Sequence, residues 1–417
     1  MRFPVAWHLV AHRSCGFMPD HTPTDELPEP AQDGTMTLPM PGSGAGMEGA
    51  QAGDLSETGF LSDHSPRISL LHIALFCILL TGFLLRLSAA KHLSSHVDES
   101  ASIMAAKMVA DRGVPIFPSG TLYLQGATIS YILAPIIKLG YGGFDDLFVM
   151  RMLSVITGTL AILALYFLTK WLTRSAWTGA GVALLLALDP ASIRWSGLVR
   201  MYATLQLATL VMLFLFLVIL RFPASRRMLI SFVAVFWFGV FTHIAICMFV
   251  PPMVILAIWK HRMALIGKRL DLTLAFGAAM VAPIMLLGLN RLISPRAATP
   301  AGTKSAVGFV GDFLFSFDQL LAPTVKSWRL LFAYADSGAI IPALIVGISV
   351  LLAGRYFLDA NLPDWKRERR NVFGTIMLLY WLPILMVAAA VTESNERYLL
   401  HLHPLGLILI GFAVQEL

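Results

Sequence analysis

Long apolar runs separated by short polar breaks dominate the chain from residue 68 onward. About 20 helical residues cross a hydrocarbon core. On that measure the runs predict spans near 68–88, 147–169, 176–190, 199–220, 228–243, 245–259, 271–290, 338–357, 372–391 and 398–415. The apolar run from Gly126 to Leu139 is shorter and ambiguous. Between the first two spans, Ala101, Met104, Ala105, Met108 and Val109 recur at helical spacing, which predicts an amphipathic helix lying on the membrane surface. Asp98 and Glu99 open it, and Gly113 and Pro115 stop it. The expected fold class is all-α, a polytopic transmembrane bundle of about 10 to 11 spans.

Composition excludes a soluble enzyme. Of 417 residues, 57% are hydrophobic and 13% charged, against roughly a quarter charged in a soluble domain. The net charge of +6 averages two unlike parts. Residues 1–67 hold three basic and nine acidic residues, so the remainder carries +12. A positive membrane domain is explained by basic cytoplasmic loops and gives no reason to invoke nucleic acid. The tail 1–67, rich in Pro and Gly and poor in large apolar residues, reads as a disordered cytoplasmic segment before a transmembrane domain, 68–417. Cys77 and Cys247 lie inside apolar runs and Cys15 in the tail, so no disulfide framework is expected.

Four basic stretches set the expected orientation: Lys170 to Arg174, Arg221 to Arg227, Lys260 to Arg269, and Arg355 to Arg370. With all four on the cytoplasmic side of a plasma membrane, the spans alternate and both termini lie inside. Residues 89–146, 191–199, 291–337 and 392–396 then face outward, and the Gly126 to Leu139 run dips into or lies on the outer leaflet.

The outward polar residues each have a structural and a functional reading. Asp98 and Glu99 suit a helix start, where unpaired amides favour carboxylates, and they also suit catalysis. Tyr202 and Gln206 share a helix face that Thr209 continues. Arg200 and Arg397 could snorkel, Tyr202 and Tyr398 could anchor at the interface, and His243 could be a packing residue. Gathered at one face with His401 and His403, they suggest a wet cavity instead. Its arginines could neutralise a phosphate and a carboxylate could deprotonate a hydroxyl, which fits an anionic lipid-linked substrate. No tight His, Asp or Glu spacing argues for a bound metal.

Asp98-Glu99 with its surface helix, Arg151-Met152-Leu153-Ser154 opening the next span, Arg200-Met201-Tyr202, Thr242-His243, and Arg397-Tyr398 with Pro404 resemble the polytopic GT-C glycosyltransferases. The nearest likeness is to the branch of protein O-mannosyltransferases and lipid A aminoarabinose transferases, the family 39-like enzymes. The resemblance runs over about residues 68–415. It implies transfer of a sugar from a polyprenyl-phosphate donor to a glycan, lipid or protein acceptor on the extracytoplasmic face, with inversion. It implies Asp98 as general base with Glu99 as its partner, and Arg200, Tyr202, His243, Arg397 and Tyr398 at the donor phosphate and cavity wall. Some members use a divalent cation. Several carry a soluble outer domain after the last span, which is not expected here. A polytopic transporter or lipid flippase for an anionic substrate is the alternative, but no internal repeat is apparent and the ionisable residues cluster at one end of the spans.

Overall fold

The computed structural model describes residues 69–124, 126–141, 146–222, 225–261, 269–293, 340–357, 363–390 and 399–416. The expected disordered tail, nearly all of the 291–337 segment and the 392–396 loop lie outside them. The described chain is helical, and its one β feature is an isolated bridge between Ile116 and Leu122.

The first span is α1 (Leu70–His92). It packs on α4 (Leu147–Thr173) and α5 (Ala176–Leu188). Between them lie α2 (Val97–Arg112) and the short α3 (Ala127–Lys138), which pack on each other. A 62° bend separates α5 from α6 (Pro190–Ser196). Asp189 stands at the bend and caps α6, its carboxylate accepting from the Ser192 amide at 2.7 Å. Beyond it come α7 (Tyr202–Arg221), α8 (Arg226–Thr242), a 3₁₀ turn at Ile244–Phe249 and α9 (Val250–His261). Pro251 and Pro252 fall in the first turn of α9, where amides need no helical partner. The remaining helices are α10 (Leu270–Ile293), α11 (Ile340–Phe357), α12 (Asp364–Ala390) and α13 (His403–Glu416).

Every sequence-derived span corresponds to a helix, so the fold is an all-α polytopic bundle. Among the described residues five helical segments are long and apolar enough to cross a membrane by themselves, and the bent α5–α6 pair adds a sixth on the same measure. Helix α3 has 12 residues, about 18 Å at 1.5 Å per residue, too short for a hydrocarbon core of about 30 Å. It lies instead beside α2 and α8, tied by the Gly126 amide to the Thr242 carbonyl at 2.9 Å.

Three local expectations change. The basic run at 366–370 is helical, because Lys, Arg and Glu are good helix formers and α12 begins at Asp364. The last helix starts at His403 and not near 398, which puts Pro404 in a first turn that tolerates it, and residues 399–402 form a turn. The stripe read from spacing on α2 is buried only in part: Ala105 and Val109 are buried together with Glu99, Ser102, Ile103 and Ala106, while Met104 is 46% exposed. The face carrying Glu99 turns inward. Gly113, with φ 77°, ends α2 as expected.

The helices have two chemically distinct ends. At one, the Glu368 carboxylate bridges Arg174 and Arg221, Arg369 pairs with Glu416, and Arg269 donates to the Ile219 carbonyl at 2.8 Å. At the other lie α2, α3, α6, the start of α7 and the start of α13. One large apolar core runs through the bundle, and a smaller one of Ile103, Ile129, Leu133, Met150, Trp195 and Tyr202 sits under α2 and α3. Close approach between them depends on Gly158 of α4, where an added Cβ would collide with Ser196 and lie 3.1 Å from Arg86 Nε. Gly158→Leu is expected to cost about 1–3 kcal/mol through overpacking, read as a lower thermal midpoint of the detergent-solubilised protein; an unchanged midpoint would contradict this packing.

Candidate active site

The α2–α3 end is organised by one buried ion pair. Glu99 of α2 and Arg151 of α4 are 1% and 2% exposed. Arg151 grips the carboxylate with both edges of its fork, Nε to Oε1 at 2.9 Å and Nη2 to Oε2 at 2.7 Å. Its remaining donors go to the Ala90 and Leu93 carbonyls, both at 2.8 Å, and to Ser94 at 3.1 Å. Those carbonyls close the C-terminus of α1, where helical acceptors have no intrahelical partner. Glu99 in turn accepts from the His96 amide at 2.9 Å and the Val199 amide at 2.6 Å. A single carboxylate therefore joins α1, α2, α4 and the 197–201 loop.

Burial works to raise the Glu99 pKa, but the Arg151 hydrogen bonds, the two backbone amides and the Arg151 charge outweigh it and hold the group below the ordinary carboxylate range. Its contribution to stability is therefore complete above the unfolded value of about 4.3 and is lost as pH falls through the lower folded value. Four donors occupy the carboxylate, so no acceptor position of Glu99 faces a substrate.

Asp98, the preceding residue, points the other way. Its side chain is 29% exposed, and Oδ2 lies 3.3 Å from Arg200 Nη2 and 3.9 Å from His96 Nδ1. Arg200 is buried at 6%. Its Nη1 donates to the Asp98 carbonyl at 2.9 Å, to Ser102 Oγ at 3.3 Å and to the Tyr123 hydroxyl at 3.5 Å. Ser102 and Tyr123 are themselves 3.3 Å apart. Arg200 lies over the Tyr202 ring at 5.6 Å, and Tyr202 contacts Trp195 and His243 with centroids at 4.9 and 6.2 Å. His243 occupies the break between α8 and the 3₁₀ turn, where its Nδ1 accepts from the Ala245 amide at 3.1 Å. Asp98, Arg200, Tyr202 and His243 are thus brought to one end of the bundle. Arg397 and Tyr398 lie outside the described residues.

The polar face of α7 continues inward. Gln206 accepts from Ser192 at 3.3 Å and donates to the Leu400 carbonyl at 3.0 Å. Ser192 also accepts from Arg86 Nη2 at 2.9 Å, and Asp189 meets His403 at 3.3 Å. Arg86 donates further to the Gly82 carbonyl of its own helix and to the Leu186 and Ala187 carbonyls, the last two being acceptors at the α5–α6 bend. His401 is buried with neither ring nitrogen bonded among the described residues and packs on Phe249 at 5.9 Å.

Several of these residues were not singled out from sequence. Arg86, alone in an apolar run, and Asp189 before a proline at a helix start carried readable signals. Tyr123 and Ser102 carried none, because only the fold brings them to Arg200. Among the described residues no group of three or more His, Cys, Asp or Glu side chains could hold a metal.

No protein-family model matches the chain, and no curated protein does. Among solved structures it is similar to the Archaeoglobus fulgidus oligosaccharyltransferase, crystallised in complex with zinc and sulfate, at 15% identity and a TM-score of 0.55. The two proteins share a fold. The match covers 82% of this chain and 49% of that one, so the chain spans about half of its neighbour's length. At this identity the likeness concerns the fold alone, within which Asp98 lies in the segment between the first two spans and Arg200 in the loop before α7.

The Glu99–Arg151 pair has a measurable signature. Glu99→Leu or Arg151→Met alone should cost about 3–5 kcal/mol by stranding a buried charge or its partners, while the two together should recover a large part. Thermal unfolding of the three variants in detergent checks this, and additive losses in the double variant would break the pairing.

Proposed function

We propose that the protein is an integral membrane glycosyltransferase that moves a sugar from a polyprenyl-phosphate donor to an extracytoplasmic acceptor, with inversion and with Asp98 as general base. The observation that carries this reading is the Asp98–Arg200 pair, a half-exposed carboxylate 3.3 Å from a buried guanidinium at one end of an apolar bundle. The GT-C-like fold supports the same reaction class. The acceptor hydroxyl gives its proton to Asp98 as its oxygen bonds to the anomeric carbon, and the electron pair of the breaking bond returns to the donor phosphate. Arg200, held in a low-dielectric setting, stabilises the charge gathering there by a few kcal/mol, of the order seen for preorganised donors. Tyr202 and His243 form the adjoining wall, and Arg397 and Tyr398 are assigned to the same site from their motif.

Glu99 takes a different role from Asp98 in this scheme. Its carboxylate is consumed by Arg151 and two amides, so it positions Asp98 and Arg200 by fixing α2 and the 197–201 loop and does not touch the acceptor. The end rich in Arg174, Arg221, Arg269 and Arg369 is assigned to the cytoplasmic side of the plasma membrane by the positive-inside rule. The N-terminus then lies inside, and Asp98 faces outward. A transporter would draw on buried ionisable groups, yet Nη1 and Nη2 of Arg86 are held by backbone carbonyls and Ser192, and Asp189 caps a helix.

Asp98→Asn should lower sugar transfer by about 100-fold or more without changing membrane insertion or abundance, and Arg200→Ala should weaken use of the lipid-linked donor. Transfer at the normal rate by the Asp98 variant, measured with a lipid-linked donor in membranes, would remove it as the base. In a background without native cysteines, an impermeant thiol reagent added outside should label Lys107→Cys on α2 and not Arg367→Cys on α12. The opposite pattern would reverse the assigned sides.

A further inference from the structure

The two edges of the Arg200 guanidinium are used unequally. Nη1 is held by the Asp98 carbonyl, Ser102 and Tyr123, so the plane of the fork is set from one side. The other edge, Nε with Nη2, is the one whose parallel N–H bonds match two oxygens of a phosphate or carboxylate. Here it is half filled: Nη2 meets a single Asp98 oxygen at 3.3 Å, and the buried Nε has no hydrogen-bond partner among the described residues. A buried donor without a partner is costly, by the full desolvation of the group. The backbone offers no slack to relieve it. Val199 is pinned to Glu99 at 2.6 Å, and the Arg200 carbonyl accepts from Ser154 at 3.2 Å.

The ion-pair partner is the less confined of the two. The Asp98 side chain is 29% exposed against 7% for Arg200, so the carboxylate stands between the guanidinium and solvent. We infer that Asp98 is a placeholder on the Nε/Nη2 edge, exchanged for the phosphate of a lipid-linked ligand, so that ligand binding and release of the carboxylate are one event. This rests on the donor reading given above and adds an order of events to it. Before the exchange, Oδ2 is turned to Arg200. After it, two phosphate oxygens take both N–H groups of the edge, and Oδ2, released from Arg200, accepts the proton of an acceptor hydroxyl. Donor binding thus precedes presentation of the base to the acceptor.

The exchange makes an unusual demand on a residue assigned as a base: removing its charge should improve donor binding. Binding of farnesyl phosphate to the detergent-solubilised full chain, with farnesol and inorganic phosphate as separate arms, tests it. Asp98→Asn and Asp98→Ala should each bind farnesyl phosphate about 3- to 5-fold more tightly than the parent protein, the scale of a partly exposed ion pair removed from competition. Arg200→Lys, which retains the charge but not the two-pronged edge, should bind it at least about 10-fold more weakly. Either Asp98 variant, if folded by thermal midpoint, binding no better than the parent would overturn the placeholder role and leave the donor reading standing. So would Arg200→Lys binding as well as the parent. If the parent protein binds farnesyl phosphate no better than farnesol, the donor reading fails and the exchange fails with it. Binding of inorganic phosphate as tight as farnesyl phosphate would show that the edge takes free phosphate and would overturn the lipid-linked assignment.

Discussion

The buried carboxylate of Glu99 is the constraint on which the α2–α3 end depends. A charged pair at 1% and 2% exposure is tolerable only when every lone pair and N–H finds a partner, and here each does so on a different piece of the chain. Through it α1 is terminated, α2 is capped and rotated, α4 is joined to both, and the loop before α7 is held by one amide. The placement of Asp98 and Arg200 follows. Asp98 is next to Glu99 on a helix and so must point about 100° away from it, and Arg200 is next to Val199, which Glu99 holds.

The same economy explains why two adjacent acidic residues behave differently. Glu99 is longer by one methylene and reaches Arg151 across the helix junction, where its negative charge is compensated completely. Asp98 stays short, half-exposed and paired with one guanidinium atom at 3.3 Å. The proposed base role therefore falls on the second, the more exposed of the two. Deeper in the bundle, Arg86, Ser192, Gln206 and Asp189 repair a 62° bend in a helix pair. Irregular backbone at that depth is accepted only where side chains satisfy it.

The bundle was legible in the sequence because apolar run length is a physical requirement of crossing a bilayer, and each run from 68 to 415 became a helix. Helix ends were less legible. Residues 366–370 read as a loop because charge and hydropathy are scored together, although Lys, Arg and Glu favour helix wherever solvent or partner charges can meet them. The stripe on α2 was legible only in part: Ala105 and Val109 are buried, while the desolvated Glu99–Arg151 pair turns Glu99 inward and Met104 stays exposed.

What the sequence determined by itself is the class of the molecule and the gathering of basic residues at alternate loops, since both depend on composition within short windows. The order of Asp98, Arg200, Tyr202 and His243 at the same ends of successive helices was likewise readable from span parity. Only the tertiary structure decided that Glu99 is locked to Arg151 while Asp98 is paired with Arg200, and that Ser102 and Tyr123 hold the guanidinium. It also decided that one edge of Arg200 is left half filled. Those facts depend on contacts between residues up to 102 positions apart, where no local pattern carries information and the direction of each side chain is settled by the packing around it.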